Sequence, residues 1–329
     1  MLDESRPTAS PARRWKAHLG QAALLAVGLY LFFQAFAGVD LRELADTVRD
    51  ASIPLLLLAL VVGQLPRFTW AVATQAACPE PVPYWPVALL QLAIPFFNLL
   101  APYTVARMAV NIRFFQRQGV GSAEAVSIAA IDTLGGTAAQ IIIIAGALLF
   151  GFAAINLNLQ NTSSADEGRL LQLLVVVLLL VVAAGMIVVI APALRRRLVN
   201  RVKPWLQAAG HTLAGVRSPR RLALIIGGNL ASEVLQALTL TIVVYAYGGS
   251  TTFVTMLVVE AGVGLFASLI PIPGGIGVVE GALIVGLTAA GIDQPTAIAT
   301  AVTYRLCTYY LPPIWGWFAY RALRQRGLF

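Results

Sequence analysis

Seven ionisable residues stand inside long apolar stretches of this chain: Arg67, Arg107, Asp132, Glu233, Glu260, Glu280 and Arg305. A charge at the middle of a bilayer costs roughly 2.5–3.5 kcal/mol on insertion scales, so such residues face protein or water and not lipid. Two chemistries follow from their types. The planar fork of an Arg guanidinium donates two parallel hydrogen bonds to a phosphate. The acids can balance those cations, or receive a cationic head group or a proton. Taken singly, each residue reads equally well as half of a structural ion pair, and Arg107 also fits a place near the membrane interface. Together, three Arg and four acids read as a polar groove through the protein.

Beside them lies Pro271-Ile-Pro-Gly-Gly-Ile-Gly-Val-Val-Glu280. Proline removes a backbone donor and obstructs the preceding turn, and glycine admits conformations that other residues avoid. A helix broken by Pro271, Pro273, Gly274, Gly275 and Gly277 leaves N–H and C=O groups that lipid cannot satisfy. Such backbone must be buried in protein or line a wet cavity. Glu280 falls about one turn into the following half-helix, where the positive dipole end stabilises a carboxylate or an anionic ligand. It can cap its own helix, meet a ligand, or do both. A second broken stretch carries Pro95, Asn98 and Pro102.

The elements that must position these residues are apolar spans. The 329 residues are 58% hydrophobic and 12% charged, whereas soluble domains carry roughly 25% charged residues. Runs of about 18 apolar residues or more, long enough to cross a bilayer, recur from end to end. Six crossings are expected, at about 19–37, 52–77, 122–152, 169–191, 221–247 and 296–320. The broken stretches cover about 85–112 and 253–290. Residues 1–18 read as a disordered cytoplasmic tail, and 19–329 as a single membrane domain with half-repeats at about 19–155 and 165–320.

Basic residues collect on the cytoplasmic side of membrane proteins. Arg13, Arg14 and Lys16 place the N-terminus inside, as Arg321, Arg324 and Arg326 do the C-terminus. The 192–221 loop, with Arg195, Arg196, Arg197 and Arg201 among its cations, is also inside; Asp166 and Glu167 mark 153–168 as outside. Arg113 and Arg117 require the first broken stretch to end inside. These constraints are met if both broken stretches are re-entrant hairpins, and equally if both cross twice as short helices. Each half then has three crossings, an odd number, so the halves run in opposite senses. Gly119-Val-Gly-Ser-Ala-Glu-Ala-Val126 aligns weakly with Gly291-Ile-Asp-Gln-Pro-Thr-Ala-Ile298 at the start of each last crossing. Inverted repeats with broken mid-membrane helices recur among transporters. Asp40 to Arg49 has the apolar spacing of a short surface helix on the outer face.

The net charge of +8 resides mostly in loops beside these spans, where it meets anionic lipid; nucleic acid is not an expected partner. Cys78 and Cys307 are isolated, and His18 and His211 lie in basic flanks. No metal site, cofactor, phosphate loop, zinc-protease motif or nucleophile elbow is expected. Small residues at Gly135, Gly136, Gly227, Gly228, Gly262 and Gly264 read as places of close helix approach. The tryptophans sit mostly near span ends, as interfacial anchors do.

Pro-x-Pro-Gly-Gly-x-Gly-x-x-Glu, spanning Pro271 to Glu280, resembles the signature of the lysylphosphatidylglycerol synthase transmembrane region, or flippase-like domain. Ala301-Val-Thr-Tyr-Arg305 and Leu311-Pro-Pro-Ile-Trp-Gly316 are similar to the closing helix of that family. Asn98-Leu-Leu-Ala-Pro102 matches its Asn-x-x-x-Pro element, but the Gly expected just afterwards is Ala106. Arg107 is off the usual spacing, and Ile131-Asp132 stands where the family carries a Glu-Arg pair. The resemblance implies lipid movement between leaflets, without the family's aminoacyl-transferring soluble domain. The expected partners are membrane lipids, an anionic phospholipid or a polyprenyl-phosphate-linked head group, in a bacterial plasma membrane. An accessory subunit positioning a separate synthase or glycosyltransferase, and an intramembrane enzyme using Glu280, Glu233 or Asp132, are the alternatives.

Overall fold

The computed structural model describes residues 41–99, 103–158, 218–269 and 275–329. The tail and first crossing, the crossing expected at 169–191, and Pro102, Pro271, Pro273 and Gly274 lie outside the described residues. Every regular element among the described residues is helical.

Helix α1 (Leu41–Arg49) is the amphipathic segment read from the sequence and packs on the helix at Gln294–Arg305. The expected crossing 52–77 is two pieces, α2 (Ile53–Val62) and α3 (Pro66–Ala77). Pro66 has no N–H to continue the ladder, so the helix kinks at the turn before it. The two pieces still form one apolar span of 25 residues. Next come α4 (Tyr84–Asn98) and α5 (Tyr103–Arg117). Pro95 does not break α4, which continues through it for three more residues to Asn98. Helix α5 runs past the expected end at 112, because Phe114 and Phe115 are fully buried in the core.

Helix α6 (Ser122–Asn158) and α7 (Pro219–Ala246) are long. After them come α8 (Phe253–Leu269) and α9 (Val278–Ala289). The expected last crossing is three pieces: α10 (Gln294–Arg305), a π-helical turn (Leu306–Tyr310) and α11 (Pro312–Gln325). Pro312 cannot donate to the Thr308 carbonyl, and the Leu311 N–H reaches back to Leu306, so the ladder widens there.

Among the described residues three stretches are long and apolar enough to cross a membrane: Ile53–Ala77, Ser122–Ala147 and Pro219–Ala246. The 15 residues of α4 and of α5 each span about 22 Å, short of a hydrocarbon core of about 30 Å. Helices α8 and α9, at 17 and 12 residues, are similarly short. Each short pair packs against itself, α4 on α5 and α8 on α9. In chain order, a long span and a short pair therefore occur twice, closed the first time by the long α6 and the second time by the three pieces from Gln294 to Gln325.

Helix α7 is the hub, touching α2, α3, α6, α8 and α10. It lies antiparallel to α2–α3: Ser52 N–H donates to Ala246 O at one end (2.8 Å), and Arg221 donates to Pro79 O at the other (2.8 Å). A Cβ at Gly228 would sit 2.8 Å from the Thr69 carbonyl, so glycine is what lets α7 lie against α3. One apolar core joins α3, α4, α5, α6 and α11, and a second joins α7, α8, α9 and α10.

Candidate functional site

Between the two cores lies a cavity of about 250 Å³ reached by residues of α3 through α10 and the π-helical turn. Six of the seven ionisable residues singled out in the sequence line it, and Glu280 sits behind Arg305.

On the first-half side, Arg107 of α5 donates through Nε to Asp132 Oδ2 of α6 at 2.6 Å. Asn111 also donates to Oδ2 (3.2 Å), and Thr74 of α3 donates to Oδ1 (2.5 Å). Gln91 of α4 supports Thr74 at 2.8 Å. The guanidinium lies 4.8 Å from the Trp70 ring centre, in cation–π range. Asp132 therefore gathers three donors from two neighbouring helices, as a buried carboxylate requires.

The second-half side is built alike. Arg305 of α10 donates through Nε to Glu280 Oε1 of α9 (2.8 Å), and Tyr310 donates to the same oxygen (2.7 Å). Glu280 Oε2 accepts from the Gly277 N–H at 2.7 Å. Glu280 thus caps its own helix and holds Arg305 at once. Gly275 (φ 61°) and Gly277 (φ 81°) occupy the left-handed region, which only glycine enters without strain, and this turn aims the Gly277 N–H, at the N-cap of α9, at the carboxylate. Arg305 stacks over Tyr309 at 4.1 Å.

Arg67 and Gln64 brace the two helix breaks. Arg67 Nη2 donates to Thr308 O (3.0 Å), the carbonyl that Pro312 leaves without its helical partner. Its Nη1 donates to Gly63 O (2.9 Å) and to Gln64 Oε1 (2.8 Å). Gln64 Nε2 donates to Cys307 O at 3.0 Å. These bonds satisfy backbone that lipid could not.

Glu233 of α7 and Glu260 of α8 form a third group. Gln140 of α6 donates to Glu233 Oε1 (3.2 Å), and Tyr304 of α10 donates to Glu260 Oε1 (3.2 Å). Among the described residues the buried Oε2 atom of each has no hydrogen-bond partner, nor have Gln91 Oε1, Asn98 Oδ1 and Asn229 Oδ1. All five residues line the cavity, and all five atoms are acceptors. Buried polar atoms normally find partners, so these five oxygens are places where a bound molecule can donate. Asn98 ends α4 and is buried, with its carbonyl meeting Tyr309 OH at 3.3 Å.

The sequence reading passed over Thr74, Gln91, Asn111, Gln140, Asn229 and Tyr304. Their signal was available as uncharged polar residues inside apolar runs, where each needs a partner. Trp70, grouped there with the tryptophans, sits under Arg107 at the cavity wall. Gly135 and Gly264 do mark close approach, to the side chains of Asn229 and Gln140, whereas nothing lies near Gly227. Among the described residues no group of three metal-ligating side chains occurs.

Apolar spans around a buried, charged and hydrogen-bonded cavity define a multi-pass helical membrane protein. The chain belongs to the family of the lysylphosphatidylglycerol synthase TM region, whose model matches residues 21–316. No curated protein matches the chain.

Proposed function

We propose that this protein carries a lipid head group between the leaflets of a bacterial plasma membrane, with the tails remaining in the bilayer. The observation that carries this reading is the cavity of about 250 Å³, walled by buried polar groups in a body otherwise built for lipid. The short pairs α4–α5 and α8–α9 act as re-entrant hairpins that open the cavity to each leaflet in turn. The two termini lie in the cytoplasm, and the basic end of α7 beside Pro79 faces the same side.

Arg107 and Arg305 attract the phosphate of the head group, with their carboxylate partners keeping the empty cavity electrically balanced. Arg67 adds positive charge at the wall while holding the helix breaks. The bare oxygens of Gln91, Asn98 and Asn229 receive hydroxyl or ammonium donors of the head group. An anionic phospholipid and a polyprenyl-phosphate-linked sugar both supply a phosphate with donors next to it.

Reconstitution of labelled phosphatidylglycerol with the purified protein tests the reading. Arg305→Ala and Glu280→Ala are expected to abolish transbilayer movement, and wild-type rates in both would sink it. Product formation in detergent, where no leaflets exist, would favour an intramembrane enzyme. Activity only with a co-purified synthase would favour an accessory subunit.

A further inference from the structure

The Glu233–Glu260 pair is used neither by the ion pairs of the cavity nor by the helix breaks. Both side chains are more than nine-tenths buried, at 2% and 8% exposure. Among the described residues neither takes an ion pair with a basic side chain. Gln140, which donates to Glu233, lies with its amide against Gly264, one turn after Glu260, so the two carboxyls share one part of the cavity wall. Each has one donor, on Oε1, and each leaves Oε2 bare.

Two carboxylates side by side repel, and among the described residues no cation pairs with either. A single proton held between the two carboxyls turns that repulsion into a hydrogen bond. It would also give a partner to the two oxygens that have none. Gln140 Nε2 and Tyr304 OH occupy Oε1 of each carboxyl, which leaves Oε2 of each for a shared proton. Both acids line the cavity.

The surrounding charges are accounted for. Helix α10 brings Tyr304 and Arg305, the latter tied to Glu280 of α9. Helix α6 brings Asp132, tied to Arg107 of α5. Helix α3 brings Arg67, held on backbone carbonyls, and α2 brings no titratable group.

We propose that Glu233 and Glu260 form a one-proton site, and that its loading and release drive movement of the head group through the cavity. The second clause rests on the lipid-transport reading; the first does not. Binding a proton on one side and releasing it on the other would bias the hairpins toward opposite leaflets, so a pH gradient would supply the work.

Two measurements on the full-length purified protein test this separately. In detergent, infrared difference spectra between acid and alkaline buffer should contain a protonated-carboxyl band, lost in both Glu233→Gln and Glu260→Gln. Tyr304→Phe, which keeps both carboxyls, should shift that band. In vesicles of phosphatidylethanolamine and phosphatidylglycerol, a gradient of about one pH unit should displace the leaflet ratio of labelled phosphatidylglycerol by up to roughly tenfold, the limit for one proton per lipid. Both Gln variants should lose that displacement. An unchanged band in both Gln variants and in Tyr304→Phe overturns the site. Lipid movement indifferent to the gradient, or dependent on sodium instead, overturns the coupling and leaves the transport reading standing. A titrating band without any lipid movement upholds the site and overturns the transport reading.

Discussion

At the residue scale the two ion pairs decide what the cavity can hold. Arg107–Asp132 and Arg305–Glu280 are each separated by 25 residues, and both are buried. The cation stands on the short-pair helix in the first half and on the last span in the second, so the signs are exchanged. A buried pair stabilises little by itself, yet removing one member leaves an uncompensated charge. Asp132→Ala should lower stability by about 3–5 kcal/mol, read from thermal unfolding in detergent. Replacing both partners, as Arg107→Met with Asp132→Leu, should recover most of that loss. If the double variant were as unstable as the single one, the cost would lie in packing and not in charge.

The element scale turns on broken helices and how their loose ends are tied. Arg67 takes the carbonyls of Gly63 and Thr308, one from each break, so a single side chain couples α2–α3 to α10–α11. In Arg67→Met each orphaned carbonyl should cost about 1–3 kcal/mol. Adding Pro312→Ala restores an N–H that can reach Thr308 O, and melting temperature should partly recover. No recovery would show that the Thr308 bond carries none of the effect. Close approach offers an independent check. Gly228→Val places atoms against the Thr69 carbonyl and should destabilise the α3–α7 contact by about 1–3 kcal/mol, whereas Gly227→Val, with open space around it, should not.

For the whole molecule, side assignment and hairpin geometry go together. Pro79 and the start of α7 share one end, and Ser52 and the end of α7 share the other. Cysteines introduced at the exposed positions Glu80 and Ser218 should react with a membrane-impermeant maleimide only from the cytoplasmic face. One at Ser250 should react only from the opposite face. The native Cys78 and Cys307 are buried and should stay silent. Reaction of Glu80→Cys and Ser250→Cys from the same side would contradict the antiparallel arrangement of α2–α3 and α7 as a membrane-spanning pair.

Membrane residence and helical class were legible in the sequence, because composition and span length depend on residue type alone. So was the capping of its own helix by Glu280, since the Pro and Gly before it forbid an unbroken helix and leave a helix start needing a carboxylate. The breaks inside 52–77 and 296–320 were harder to read. Pro66 and Pro312 were visible, but the donors that make those breaks tolerable, Gln64 and Arg67, lie some 240 residues away from the carbonyls of Cys307 and Thr308. Which acid meets which Arg was likewise undecided, as ion pairing is a matter of distance between helices and not of spacing along one. Only the tertiary structure set Glu233 and Glu260 apart from the other buried acids, by placing Arg107 and Arg305 on Asp132 and Glu280 and leaving these two on the same cavity wall without a cation among the described residues.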